Sequence, residues 1–230
     1  MRNHPDAVMI FAAGRGTRMG DLTAQRPKPL IPVAGRPLLD HALTLARGVD
    51  PARIVVNTHY LGNQIAAHLD AQTDVILSDE VDLLETGGGL RHALPLLGDG
   101  PVYTMNSDAV WTGSNPFHQL RAAWDGDLMD ALLLMIDPSR AHGRKGAGDF
   151  IIAGDGRITR GPGVTYSGAQ IIRTDGLSDI AEDAFSLNKL WDIYMARGRV
   201  FGIVHDGAWC DVGHPQGIEV AEQMVGYSGV

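Results

Sequence analysis

Short apolar runs, separated by stretches with helical periodicity, constrain the fold of this chain more than any other feature. Residues 7–11, 53–57, 75–77, 102–105 and 131–136 read as strands, and in most of them the apolar residues are consecutive rather than alternate. Consecutive apolar residues mark strands covered on both faces, the pattern of a parallel sheet. Between the runs, Leu39, Ala42, Leu43 and Ala46 share one face of a helix. Ile65 and Leu69 lie one turn apart within 62–69, residues 88–97 look helical, and Phe117, Leu120 and Trp124 give a further helix face. This β-α-β alternation predicts an α/β fold with a mixed, mainly parallel sheet and helices on both faces.

The rhythm changes after Asp137. Residues 140–175 are glycine-rich with short β-like segments at 150–152, 157–159 and 170–172, which predicts antiparallel hairpins forming a lid or small β-rich lobe. A helix carrying Leu187, Leu190, Trp191 and Tyr194 follows, then extended segments at 200–204 and 208–212 and a helix over 217–224. The 230 residues suit a single domain, 1–230. A net charge of −8 argues against a nucleic-acid binder. No apolar run approaches the roughly 20 residues that span a bilayer, and the first six residues have no signal-peptide character. One cysteine excludes an internal disulfide and suits a cytoplasmic protein. The nine histidines form no zinc-binding pattern. Nothing in the sequence sets an oligomeric state.

The first strand runs into Ala12-Ala13-Gly14-Arg15-Gly16-Thr17-Arg18-Met19, and Pro27-Lys28-Pro29-Leu30 follows shortly after. A glycine-rich turn at the carboxyl end of a buried strand can bring backbone N–H groups close to a phosphate. A lysine held between two prolines has a fixed direction from which to serve the same phosphates. The dinucleotide fingerprint fails because Met19 stands where a third glycine is required, and no Gly-Lys-Ser/Thr completes a Walker motif. The string G-x-G-T-R-M with P-K-P-L resembles the signature of the sugar-1-phosphate nucleotidyltransferases. The resemblance implies a Rossmann-like fold and displacement at the α-phosphorus of a nucleoside triphosphate by a sugar 1-phosphate, with Mg²⁺ as cofactor and small molecules as the only partners. Residues 1–137 would then form the nucleotide-binding part, and 138–230 the sugar lobe with the closing strand and helix.

The resemblance also implies roles for individual residues. Ala12, Ala13, Gly14, Gly16 and Thr17 would cradle the nucleotide. Lys28 would contact the α-phosphate or the incoming sugar phosphate, and Arg18 the leaving phosphates. Asp108 follows the fourth strand at the edge where open α/β sheets place ligands. Ser107 stands before it where the family has glycine. Trp209-Cys210-Asp211-Val212-Gly213 resembles the family's W-x-D-x-G, making Asp108 and Asp211 the metal ligands and catalytic carboxylates. Asn57 would contact the nucleotide, and Asn106, Asp149, Ser167 and Gly168 the sugar. For Asp149 an ordinary hairpin role stands beside the sugar-binding one.

Leu84-Glu85-Thr86-Gly87-Gly88-Gly89 is the third informative string. Three glycines ahead of a helix allow a flat base to approach the backbone, so Gly87 and Gly88 join the nucleotide contacts. The string resembles the branch of uridylyltransferases that act on N-acetylmuramate 1-phosphate in cell-wall sugar recycling. Pro32 to Leu38, Leu61 to Ile65, Ala93 to Gly98 and His142-Gly143-Arg144 agree with that branch, whereas Ser186 stands where a lysine is expected. Arg144 or Lys145 would meet the lactyl carboxylate of that sugar, and the reading of both as solvated loop charges stands beside this one. Two other readings stay open: a mannose-1-phosphate guanylyltransferase using GTP, and a non-catalytic nucleotide-sensing subunit.

Overall fold

The computed structural model describes residues 3–144 and 146–226. In chain order the elements are β1 (Ala7–Phe11), β2 (Pro32–Val33), β3 (Arg36–Pro37), α1 (Leu38–Arg47), β4 (Arg53–Thr58), α2 (Gly62–Leu69), β5 (Val75–Asp79), α3 (Glu85–Leu97) and β6 (Val102–Asn106). They continue with β7 (Ala109–Trp111), α4 (Pro116–Ala123), β8 (Ala131–Ile136), β9 (Ala141–His142), β10 (Phe150–Ile152), β11 (Ile158–Arg160), β12 (Thr165–Ile172), α5 (Asn188–Ala196), β13 (Val200–Val204), β14 (Trp209–Asp211) and α6 (Gln216–Met224).

Among the described residues the main sheet has seven strands in the order β13-β8-β12-β6-β1-β4-β5. Strands β6, β1, β4 and β5 run parallel, as do β13 and β8, while β12 is antiparallel to both of its neighbours. The period of two along each strand divides the core. Val8, Ile10, Ile54 and Val56 pack on one face with α1, α2 and α4, while Ala7, Met9 and Val55 pack on the other with α3 and α5. The apolar runs are continuous because both faces are covered.

The chain moves outward from β1 through β4 to β5 and then returns to β6 on the other side of β1. The carboxyl ends of β1 and β6 therefore flank the point where the strand order reverses, the crevice in which open sheets bind ligands. Ser107 ties the two ends together: its hydroxyl donates to the Phe11 carbonyl at 2.7 Å. This turned-in side chain explains how serine replaces the expected glycine.

One expectation changes. Residues 170–172 belong to no hairpin lobe; they are the end of β12, paired with β6 and β8 in the main sheet. Residues 150–152 do form a hairpin, with 158–160. A small second sheet, β7-β14-β9, brings the C-terminal strand beside the segment after β6. No helix among the described residues is long and apolar enough to cross a membrane.

Candidate active site

The glycine motif leaves β1 and turns sharply. Gly16 has φ +63°, the left-handed region that favours glycine, and it precedes a 3₁₀ segment, Thr17–Thr23. A Cβ on Gly16 would lie 2.8 Å from the Lys28 Cβ, so the glycine also makes room for the Lys28 stem. Lys28 opens a tight turn closed by Leu30 N–H to Pro27 C=O and Ile31 N–H to Lys28 C=O. Its side chain is only 9% exposed, and Nζ lies 2.7 Å from Asp108 Oδ2. A lysine desolvated to this degree needs an anionic partner.

Asp211 reaches the same place from the other end of the sequence. In the β7-β14 ladder Asp211 pairs with Ala109, and Val212 N–H donates to the Asp108 carbonyl at 2.9 Å. Burial, and then the Asp108 charge, push the Asp211 carboxyl above its ordinary range, against the opposing pull of Lys28, Arg18 and Arg144. Gly213 faces this carboxylate: a Cβ there would come within 3.0 and 3.1 Å of its oxygens and 3.3 Å of Arg18 Cζ. Two converging carboxylates over a cradle that a Cβ would fill suit a divalent cation. Mg²⁺ in particular is held by one or two protein carboxylates, with substrate phosphates and water completing the shell. The described residues contain no larger cluster of metal-ligating side chains.

Two clefts meet at these residues. The first, of about 430 Å³, is lined by Ala12, Ala13, Gly14, Gly16, Thr17 and Asn57, together with Lys28 and residues at the start of α3. The second, of about 900 Å³, is lined by Ser167, Gly168, Asp211, Trp209, Arg144 and His214 among others. Arg18, Asn106 and Asp108 line both. A third cleft adjoins them, bounded by Arg144, Asp149, Phe150, Tyr166 and Trp191.

Several expected contacts have other tasks. Gly87 and Gly88 lie inside α3 and line none of these three clefts; their amides donate to the Phe185 carbonyl at 2.8 and 3.1 Å. Their missing side chains let the 183–185 segment pack on the helix, because a Cβ would run into Phe185 or Asp183. The Ala12 amide is taken by Asn57 Oδ1 at 2.7 Å. The Ser167 hydroxyl faces into the sheet and donates to the Leu134 carbonyl at 2.6 Å, leaving its backbone at the cleft. Asp149 has both oxygens engaged, one by the Arg144 guanidinium and the other by Tyr166 N–H at 2.9 Å. Gly168, at φ +88°, forms the bulge of β12 against Asn106. Lys145 lies outside the described residues.

Glu80 was not anticipated. It is buried to 5% exposure and lines the first cleft. Asn57 Nδ2 donates to its Oε1 at 2.6 Å and Leu84 N–H to its Oε2 at 3.0 Å. Its signal was positional: Asn57 and Glu80 lie at the carboxyl ends of adjacent parallel strands. Glu85 and Thr86 also line this cleft, and Glu85 is a non-glycine residue at φ +60°.

The MobA-like NTP transferase domain matches residues 8–146. The N-acetylmuramate α-1-phosphate uridylyltransferase of Caulobacter vibrioides is 38% identical, over 96% of this chain and 98% of that protein. The protein of the same name from Neisseria meningitidis serogroup B is 33% identical, over 95% and 98%. The crystal structure of HddC from Yersinia pseudotuberculosis superposes with a TM-score of 0.75 at 21% identity, covering 94% of this chain and 98% of that one.

Proposed function

Because the chain belongs to the MobA-like NTP transferase family and is a sugar-1-phosphate nucleotidyltransferase, we propose that it joins UTP to N-acetylmuramate 1-phosphate, giving UDP-N-acetylmuramate and pyrophosphate with Mg²⁺. The observation that carries this reading is the meeting of two clefts at Arg18, Asn106 and Asp108, with Lys28 and Asp211 beside them. The triphosphate occupies the first cleft and the sugar phosphate the second, so the reacting phosphates face each other at the shared wall.

An oxygen of the sugar phosphate attacks the α-phosphorus in line, the bond to the bridging β-oxygen breaks, and its electron pair leaves with pyrophosphate. Both reactants are anions, so the chain contributes position and positive charge. Lys28 meets the α-phosphate or the attacking phosphate and exchanges part of its interaction with Asp108 for it. Arg18 balances the charge gathering on the leaving group. Asp108 and Asp211 would hold Mg²⁺, which when bound would supply charge neutralisation between the two anions.

Glu80 is the acceptor for a base N–H in the first cleft. Each of its oxygens already takes one bond, and uracil N3–H offers one more. The greater size of the second cleft suits a sugar with N-acetyl and lactyl substituents. We place the reaction in the cytoplasm, where UTP is made.

A panel of four nucleoside triphosphates against several sugar 1-phosphates, read by pyrophosphate release, tests the assignment. UTP with N-acetylmuramate 1-phosphate is expected to give the highest kcat/KM. A higher value for GTP with mannose 1-phosphate would replace the substrate assignment while leaving the reaction class in place.

A further inference from the structure

The charges around the second and third clefts, taken together as the acceptor clefts, are unevenly committed. Arg160 is held by Asp192 Oδ1 at 3.0 and 2.8 Å and by Asn188 Oδ1 at 3.0 Å, with its guanidinium over the Phe150 ring. Arg18 lines the wall shared with the nucleotide cleft. Arg144 lines both acceptor clefts and not the nucleotide cleft. A guanidinium carries five N–H donors, and the hydrogen bond that fixes Arg144 takes one of them, from Nη2 to Asp149.

Its surroundings hold it in place. Asp149 is itself anchored to β12 through Tyr166 N–H. The preceding residue, Gly143, has φ +72° and packs on the Asp211 carbonyl so closely that a Cβ there would collide with it. His214 Nε2 pairs with the Gly143 carbonyl at 3.0 Å. The backbone before Arg144 is thus pinned beside Asp211, and its guanidinium is tethered toward β12.

We infer that Arg144 is the specificity-determining residue that receives the carboxylate of an acidic sugar substituent, with Asp149 as the residue that positions it. The inference rests on the muramate reading above and deepens it. N-Acetylmuramate differs from N-acetylglucosamine by a lactyl ether, whose carboxylate matches a planar guanidinium through paired hydrogen bonds. Asp149 aligns the fork and keeps it from folding back onto Asp211.

The test uses purified protein with UTP and Mg²⁺, and compares kcat/KM for N-acetylmuramate 1-phosphate and N-acetylglucosamine 1-phosphate. Because Arg144 also acts on Asp211, the ratio between the two sugars is the readout, and turnover of the neutral sugar reports that each variant is folded. Wild type is expected to favour the acid. Arg144→Ala should reduce that preference by about 10- to 100-fold, chiefly through KM. Arg144→Lys should keep part of it, and Asp149→Asn should weaken it less than Arg144→Ala does. Lys145→Ala should leave it unchanged. An unchanged ratio in Arg144→Ala, or loss of preference in Lys145→Ala instead, would overturn the inference and leave the muramate reading intact. A wild type that favours the neutral sugar would overturn both.

Discussion

Replacing Lys28 with methionine isolates what its charge does. The unbranched stem survives, so the packing against Gly16 is kept, and only the ammonium is lost. With its side chain 9% exposed, the charge is weakly screened. At an effective dielectric of about 20, a unit charge about 4 Å from a phosphate oxygen contributes roughly 4 kcal/mol. Part of that interaction is given up by Asp108, which leaves about 3 kcal/mol for the transition state. That corresponds to about a 150-fold loss in kcat. The KM for the triphosphate should change little, because the contact strengthens as charge moves during the reaction. A second signature follows from Asp211 in the metal-free protein. Lys28 is one of the groups lowering its carboxyl, so removing it raises that carboxyl further. Steady-state kinetics measure the first and titration of the metal-free protein the second. A kcat within about threefold of wild type would make Lys28 a structural partner of Asp108 only.

Asp108→Asn and Asp211→Asn should each cut turnover by at least about 100-fold with the circular dichroism spectrum retained. Asp211→Asn should also raise the thermal midpoint measured without metal, since a half-buried carboxylate facing Asp108 disfavours the fold; a lowered midpoint would contradict that account. His205 has a fully buried side chain, bonded to Gln119 and Thr112, and burial lowers its pKa. Its contribution is present in full above the ordinary histidine value of about 6.5 and is lost as pH falls below that toward the lowered folded value. Denaturant midpoints should therefore drop as pH falls below about 6.5, and His205→Gln should flatten that slope. Gly87→Ala should cost about 1–3 kcal/mol in denaturant unfolding by driving a methyl into Phe185, and a neutral result would mean that the 183–185 segment yields freely.

Much of the architecture was legible because burial on both faces writes itself into consecutive apolar residues, as in Ala131–Ile136 and Ala7–Phe11. That Asp108 and Asp211 lie near each other was legible through motifs at the ends of β6 and β14. What local pattern does not reveal is which sheet a strand joins. Residues 170–172 looked like the hairpin segments near them, yet β12 pairs with β6 and β8 across the middle of the molecule. Glycine misled in a different way. Gly87 to Gly89 carry poor intrinsic helix propensity, but packing by Phe185, Asp183 and Glu80 requires small residues there and overrides it. Glu80 was invisible because its burial depends on Asn57 from a neighbouring strand.

The reaction assigned to this chain passes a nucleotidyl group from the triphosphate to the sugar phosphate at the α-phosphorus. The direct measurement incubates the protein with Mg²⁺, N-acetylmuramate 1-phosphate and UTP labelled at the α-phosphorus, and follows label and pyrophosphate together. Label is expected in the nucleotide sugar in equal amounts to the pyrophosphate released, and only when the sugar phosphate is present. Label recovered as UMP, or pyrophosphate released without the sugar phosphate, would contradict it.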